Sequence, residues 1–379
     1  QGAPAGDLIV TCRIQPHEFF ERDGDNLHAR VSVPMVQAAL GAEVEIDEER
    51  LFGYAYGSIV VESATPLEYA DALPLGRTVA SETLNVNGTE VSIEELCRIN
   101  SERFATVYPA TCPSQSPLTS AAHEHRTCEW PGEAVEHPVA YLPVFPGTNC
   151  DYDTARAFRR AGAEVRSSVL CNLKGDDILR SIAEMKEHIS KCHILVLSGG
   201  FSAGDEPDGS AKLIVNVLNN KEIAEEIHRL IDRGGLILGI CNGFQALVKS
   251  GLLPYGRLGR VTKESPTLFR NDINRHISQI VTTRVASTNS PWLAGFREGD
   301  LHAIAVSHGE GKFVVSDQLA EELFRNGQVA FQYADPQGNP TVESPYNPNG
   351  SYHAIEGILS RDGRILGKMG HTERYEEEL

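Results

Sequence analysis

From His137 onward, short apolar runs alternate with amphipathic stretches, the pattern of strands alternating with helices. HPVAYLPVF predicts a buried strand, and DYDTARAFRRAGAEV predicts a helix that stops at Gly162 and leads into a second strand. In DDILRSIAEMKEHI the apolar residues Ile178, Ile182, Met185 and Ile189 recur at helical spacing. HILVLSGG predicts a third strand, and GGLILGI a fourth after a helix around KEIAEEIHRLIDR. Such βαβ alternation implies an α/β fold with a parallel sheet flanked by helices on both faces. Ligands in such sheets sit at the carboxyl ends of the strands, so chemistry is expected just after Leu197 and Ile240.

The front of the chain differs. Residues 1–46 read as a β-rich fragment: Asp7–Ile14 and His28–Val33 alternate in polarity, with the turn-rich ERDGDN between them. In residues 47–136, Leu51–Ser63 predicts a strand, and SIEELCRI predicts a short helix with a capping box made by Ser92 and Glu95. Residues 109–138, rich in Pro, Ser, Thr and His, have the composition of a linker. The third segment is the α/β domain, residues 137–379.

Composition narrows the function classes. Of 379 residues, 41% are hydrophobic and 23% charged, as in a soluble globular protein, and the length suits two or three domains. No apolar run approaches the ~18 residues of a membrane span, and no signal peptide is legible at the start. The net charge of −18 and the lack of any basic run argue against nucleic acid or an anionic membrane as partner. None of the eight cysteines forms a CxxC pair, so neither a zinc cage nor any other metal site is expected, and free thiols in the cytoplasm are the expectation.

Three local signals carry chemistry. In GLILGICNGFQAL an apolar strand runs into Cys241 and then a helix, with Gly239 and Gly243 two positions to either side. A nucleophile on a sharp strand-to-helix turn needs small residues there, and the helix N-terminus favours thiolate. A buried core cysteine would also explain the segment, since free Cys is often buried. In LVLSGGFSAGD, Gly199 and Gly200 end a strand where bare N–H groups can face an oxyanion, the second donor being the N–H of Asn242. Two glycines also suit an ordinary tight turn. In GHTERYEEEL, His371 and Glu373 point to one face if the segment is extended, the pairing a base and its orienting carboxylate require. A surface His in an acidic tail is the plain alternative.

The order of the three resembles that of class I glutamine amidotransferases, a flavodoxin-like group. The blocks YLPVFPGTNCDYDTARAF, LSGGFSAGDEPDGSAKLI, GICNGFQAL, RNDINRHISQIVTTRV, AVSHGEGKF, NPNGSYHAIEGI and GKMGHTER are similar to the glutaminase domain of the phosphoribosylformylglycinamidine synthase family, in its long fused form. That resemblance implies glutamine hydrolysis by Cys241, His371 and Glu373, with ammonia delivered to a synthetase partner that uses ATP and Mg²⁺. The family's terminal motif often reads HPE, and here Thr372 stands between His and Glu. LFGYAYGSIVVES resembles the end of the synthetase, but no P-loop is present, so no cofactor is expected in this chain itself. Residues 1–46 resemble the C-terminal region of DnaJ-type co-chaperones. That junction matches neither family's architecture, and a mosaic chain explains it more simply than a functional fusion. Two rival readings follow: a peptide-binding co-chaperone fragment, or another Cys hydrolase or isomerase with the same elbow, although those take their His beside the nucleophile, where Asn242 stands here. His308 and Glu310 are expected to shape a loop near the glutamine pocket or the synthetase interface. His123 and His125 are assigned to the linker, and Cys150 is a lesser catalytic candidate.

Overall fold

The computed structural model describes residues 21–23, 26–28, 42–47, 63, 65, 73–102, 105, 109, 111–113, 116–118, 135–202 and 210–375. The chain divides into two units, Gln1–Tyr108 and Pro109–Leu379. Among the described residues no helix is long and apolar enough to cross a membrane.

In the first unit, β1 (Glu21–Asp23) pairs antiparallel with β2 (Asn26–His28), so the described residues of ERDGDN are themselves strand. A second sheet has the order β4-β3-β5-β6, with β3 at Ala42–Val44, β4 at Gly76–Thr78, β5 at Thr83–Val86 and β6 at Thr89–Ser92. Because β3 pairs with both β4 and β5, the sheet spans the boundary placed after residue 46. The β5–β6 turn is Asn87–Gly88, both with positive φ (52° and 84°), the conformation that makes Asn-Gly a hairpin turn. Ser92 Oγ accepts the Glu95 N–H (3.4 Å) at the start of α1 (Ile93–Glu102), while the Glu95 carboxylate is taken by Arg98. The strands expected at Asp7–Ile14, His28–Val33 and Leu51–Ser63, and His123 and His125, lie outside the described residues, His28 and Ser63 excepted.

The second unit starts earlier than residue 137. Its described early residues are bonded into it: the Pro109 carbonyl accepts from Arg275, Ser116 Oγ donates to the Gly350 carbonyl, and the Pro117 carbonyl accepts the His353 N–H. These bonds attach Pro109, Ser116 and Pro117 to this unit, where composition alone suggests a linker.

The α/β alternation follows. β7 (Val139–Val144), α2 (Asp151–Arg160), β8 (Glu164–Val169), α3 (Gly175–Lys191), β9 (Ile194–Leu197), α4 (Lys212–Leu218), α5 (Lys221–Asp232) and β10 (Leu236–Ile240) come in turn. Both β9 and β10 are almost wholly buried, as a central parallel strand covered on both faces must be. α5 buries Ile223, Ile227, Leu230 and Ile231, one helical face, and Asn220 caps it by accepting from the N–H groups of Glu222 and Ile223. In α3 the buried face runs through Ser181, Met185 and Ile189, while Ile178 is 42% exposed. Ser181 takes an inner position there, its hydroxyl accepting from Cys171 N–H and donating to the Asp177 carbonyl.

After α6 (Asn242–Ser250) come β11 (Thr267–Phe269), β12 (Ile277–Val285), β13 (Leu301–His308), β14 (Lys312–Val314), α7 (Asp317–Arg325), β15 (Val329–Ala334), β16 (Ile355–Leu359) and β17 (Ile365–Lys368). Apart from the β11–β14 pair they complete one nine-stranded sheet, β13-β12-β15-β16-β17-β10-β9-β7-β8. The strands from β8 to β17 are parallel, in the doubly wound order of flavodoxin-like folds. From β17 outward the sheet continues antiparallel through β16, β15, β12 and β13, an extension the strand–helix pattern did not predict.

α6 meets the sheet at close range. A Cβ on Gly243 would lie 1.9 Å from the Leu197 carbonyl oxygen, and backbone cannot yield as a side chain can. Gly243→Ala is expected to cost about 3 kcal/mol, the upper end of ordinary overpacking. A urea denaturation midpoint unchanged from wild type would contradict this.

Candidate active site

Four loops at the carboxyl ends of β7, β9, β10 and β17 converge, and the sheet's topological switch point lies between β7 and β9. Cys241 follows β10 directly and precedes α6. Its backbone is strained (φ 51°, ψ −105°), a conformation rare for any residue but glycine, and it persists because neighbours fix it. The Cys241 N–H donates to the Lys368 carbonyl (2.8 Å) on β17. Behind it, a Cβ on Gly239 would lie 2.6 Å from Leu247 Cδ1 and 2.7 Å from the Gly243 carbonyl oxygen. Both glycines flanking the thiol are therefore required by contact. The thiol is 5% exposed and points to the Ser307 carbonyl (3.6 Å).

His371 and Glu373 meet by a route other than an extended strand. Residues Thr372–Arg374 form a 3-10 turn, which folds the Glu373 carboxylate back onto the ring, with Glu373 Oε1 2.6 Å from His371 Nδ1. Both side chains are buried. Burial works against an imidazolium, but hydrogen bonds to Cys150, Cys241 and Glu373 outweigh it and hold the His371 pKa well above the usual range. With Nδ1 engaged by the carboxylate, the opposite nitrogen is left for proton exchange at the thiol.

Gly199 sits against that ring: a Cβ there would lie 2.8 Å from His371 Cε1 and 3.1 Å from Cys150 Sγ. Its lack of a side chain admits the imidazole, a steric need that a search for oxyanion donors misses. Gly200 (φ 152°) packs on Gly147 and Thr148, and Phe201 N–H donates to the Gly147 carbonyl. The Asn242 side chain ties this loop to the elbow by accepting the Ser202 N–H (3.3 Å). Asn242 follows Cys241 directly, with its N–H in the first turn of α6, and the Gly199–Gly200 loop is joined to it through Ser202.

Cys150, just after the β7 loop, is 1% exposed, and its sulfur lies 3.9 Å from His371 Nδ1. It accepts from Arg374 Nη2 at 3.1 Å. Donor atoms of Cys150, His371 and Glu373 fall within 4.8 Å of one another. Within this group Glu373 Oε1 is engaged by His371 and the sulfur by the Arg374 guanidinium, while Glu373 Oε2 has no hydrogen-bond partner among the described residues.

The loop after β13 closes the other side. Asn242 Nδ2 donates to Gln245 Oε1 (2.8 Å), and Gln245 Nε2 donates to the Glu310 carbonyl (2.6 Å). Asn271 Nδ2 donates to the His308 carbonyl and its oxygen meets His308 Nδ1, which fixes a ring whose pKa burial lowers to about 3, aided by His276 and His371. His308 is therefore neutral and structural. Gln245 and Asn271 lie inside the blocks GICNGFQAL and RNDINRHISQIVTTRV, but nothing local to either residue gives it a role.

The profile of the CobB/CobQ-like glutamine amidotransferase domain matches residues 137–379, and that of the DnaJ C terminal domain matches residues 1–55. The phosphoribosylformylglycinamidine synthase subunit PurQ of Gloeobacter violaceus is 33% identical over 236 residues, which cover 62% of this chain and 88% of that protein. The subunit of the same name from Chlorobaculum tepidum is 35% identical over 238 residues, covering 63% and 88%. Among solved structures, PurLQS from Thermotoga maritima is similar at 28% identity and a TM-score of 0.47, covering 64% of this chain and 91% of that one.

Proposed function

The chain belongs to the CobB/CobQ-like glutamine amidotransferase family, and from that premise we propose that it releases ammonia from glutamine, with Cys241 as nucleophile, His371 as base and Glu373 as orienting carboxylate. The observation that carries this reading is the strained Cys241 elbow beside a buried His371–Glu373 pair 2.6 Å apart. His371 takes the thiol proton, and the thiolate adds to the side-chain amide carbon of glutamine. Backbone N–H groups of Asn242 and the Gly199–Gly200 loop face the oxyanion. Collapse breaks the C–N bond as His371 returns the proton to the leaving nitrogen, giving ammonia and a γ-glutamyl thioester. Water, deprotonated by His371, then attacks the thioester carbonyl, and glutamate leaves as the thiolate re-forms and recovers its proton.

The relatives' names support the further reading that the ammonia serves formation of formylglycinamidine ribonucleotide from formylglycinamide ribonucleotide in purine biosynthesis. That reaction requires a synthetase partner with ATP and Mg²⁺. Ammonia released without an acceptor wastes glutamine, so a glutaminase of this kind is slow until its partner engages. Adding the synthetase with ATP, Mg²⁺ and formylglycinamide ribonucleotide is expected to raise glutamate release about tenfold, an ordinary coupling between sites. Equal rates with and without the synthetase, at saturating glutamine, would remove the coupling and leave an independent glutaminase.

A further inference from the structure

Two charged residues outside the chemistry above are buried as deeply as the triad. Glu356, on β16, is 0% exposed, and Lys368, the last residue of β17, is 3% exposed. The β16–β17 register pairs Gly357 with Lys368, which brings the two side chains to the same end of the sheet. Burying charge is strongly unfavourable unless the groups are held and balanced, so the pair requires an explanation.

Their contacts converge on one segment. Glu356 Oε1 accepts the Gly370 N–H at 2.5 Å, and the Glu356 carbonyl accepts the Met369 N–H at 3.2 Å. Lys368 Nζ donates to Thr372 Oγ1 at 3.3 Å and lies 5.3 Å from the centre of the Phe331 ring. One charge thus fastens the residue before His371 and the other the residue after it. The Lys368 carbonyl meanwhile holds the Cys241 N–H. Glu356 Oε2 has no hydrogen-bond partner among the described residues; burial raises the Glu356 pKa, and the Lys368 charge offsets that rise only in part.

We propose that Glu356 and Lys368 are positioning residues, a buried charge lock that sets His371 and Glu373 in register with Cys241. The inference rests on the catalytic reading above. A core-filling pair would stabilise the sheet without regard to the 368–372 backbone. This one grips the backbone before the imidazole and the Thr372 side chain after it, where a displacement of an ångström costs orders of magnitude in rate.

The test removes both charges together, so that neither is left alone. Glu356→Ala with Lys368→Met is expected to lower kcat for glutamine hydrolysis about tenfold, with KM within about twofold of wild type. Glu356→Gln with Lys368→Met restores an acceptor for Gly370 and is expected to recover most of the loss. Thr372→Val, on the exposed side of the turn, deprives Lys368 of its acceptor without disturbing the core. It decides the matter if the double variants fail to fold: kcat is expected to fall about threefold at unchanged KM. Wild-type kcat in the Ala/Met variant, a loss that Gln does not recover, or wild-type kcat in Thr372→Val overturns the lock. A glutamine-like diazo ketone distinguishes the two levels. If it fails to label Cys241 in the wild-type chain, the catalytic reading fails; if it labels Cys241 and the variants keep full rate, only the lock fails.

Discussion

Cys241→Ser is expected to reduce glutamine hydrolysis by at least about 10⁴-fold while leaving the fold intact, because catalytic groups that act as a unit lose nearly everything when the nucleophile goes. The exchange replaces sulfur by oxygen at a site whose backbone strain is held by Gly239, Gly243 and the Lys368 carbonyl, none of which it touches. An alcohol is a far weaker acid than a thiol and depends on the base entirely. The companion measurement is labelling by a glutamine-analogue electrophile, expected at Cys241 and at no other cysteine. Cys150 is the demanding control, since its sulfur lies 3.9 Å from the same imidazole. Arg374 and Asn149 hold that sulfur in place. Labelling of Cys150, with Cys241 unmodified, would transfer the nucleophile's role to it.

The second large effect concerns the base. His371→Ala is expected to match the Cys241→Ser loss within a few fold, and the double variant to be no worse than either single one. Glu373→Gln keeps a hydrogen-bonding oxygen but loses the charge, so a smaller loss, about 10²-fold, is expected. Its pH profile carries a sign. The carboxylate is among the contacts that raise the His371 pKa, so its removal lets that pKa fall, and the alkaline limb of kcat/KM moves to lower pH. An alkaline limb that stays in place, or full activity in a chain truncated after Gly370, would separate Glu373 and His371 from the reaction.

What was legible depended on how local the physics was. The elbow around Cys241 is a demand of backbone sterics within five residues, and GICNG states it in sequence. The amphipathic face of α5 and the buried run of β10 are local patterns of the same sort. The His371–Glu373 spacing suits one face of a strand, yet the pair is built by a 3-10 turn, a distinction three residues cannot express. Gly199 illustrates the limit more sharply, since its need arises from the ring of His371, far along the chain. The antiparallel half escaped for another reason: β12 carries Ile280 on its open face, 67% exposed, which blurs the alternation that would have marked it. The segment around Pro109 and Pro117 looks like linker because both residues join the unit through backbone carbonyls, which composition does not record.

The insertion of β17 between β10 and β16 has a consequence for how the molecule comes into being. During synthesis Leu236–Ile240 is made before the entire antiparallel half, and its eventual neighbour is the last strand of the sheet to arrive. Until then the nascent protein carries an unpaired, almost wholly apolar edge, the kind of surface that recruits other chains, and its closure waits on a distant and therefore slow pairing. The same wait leaves the cysteine without its imidazole, since His371 emerges only after β17. On the catalytic assignment proposed above, ripening of the hydrolase and sealing of its sticky seam are thus one event, and a half-made copy is idle at the stage when it is most prone to aggregate.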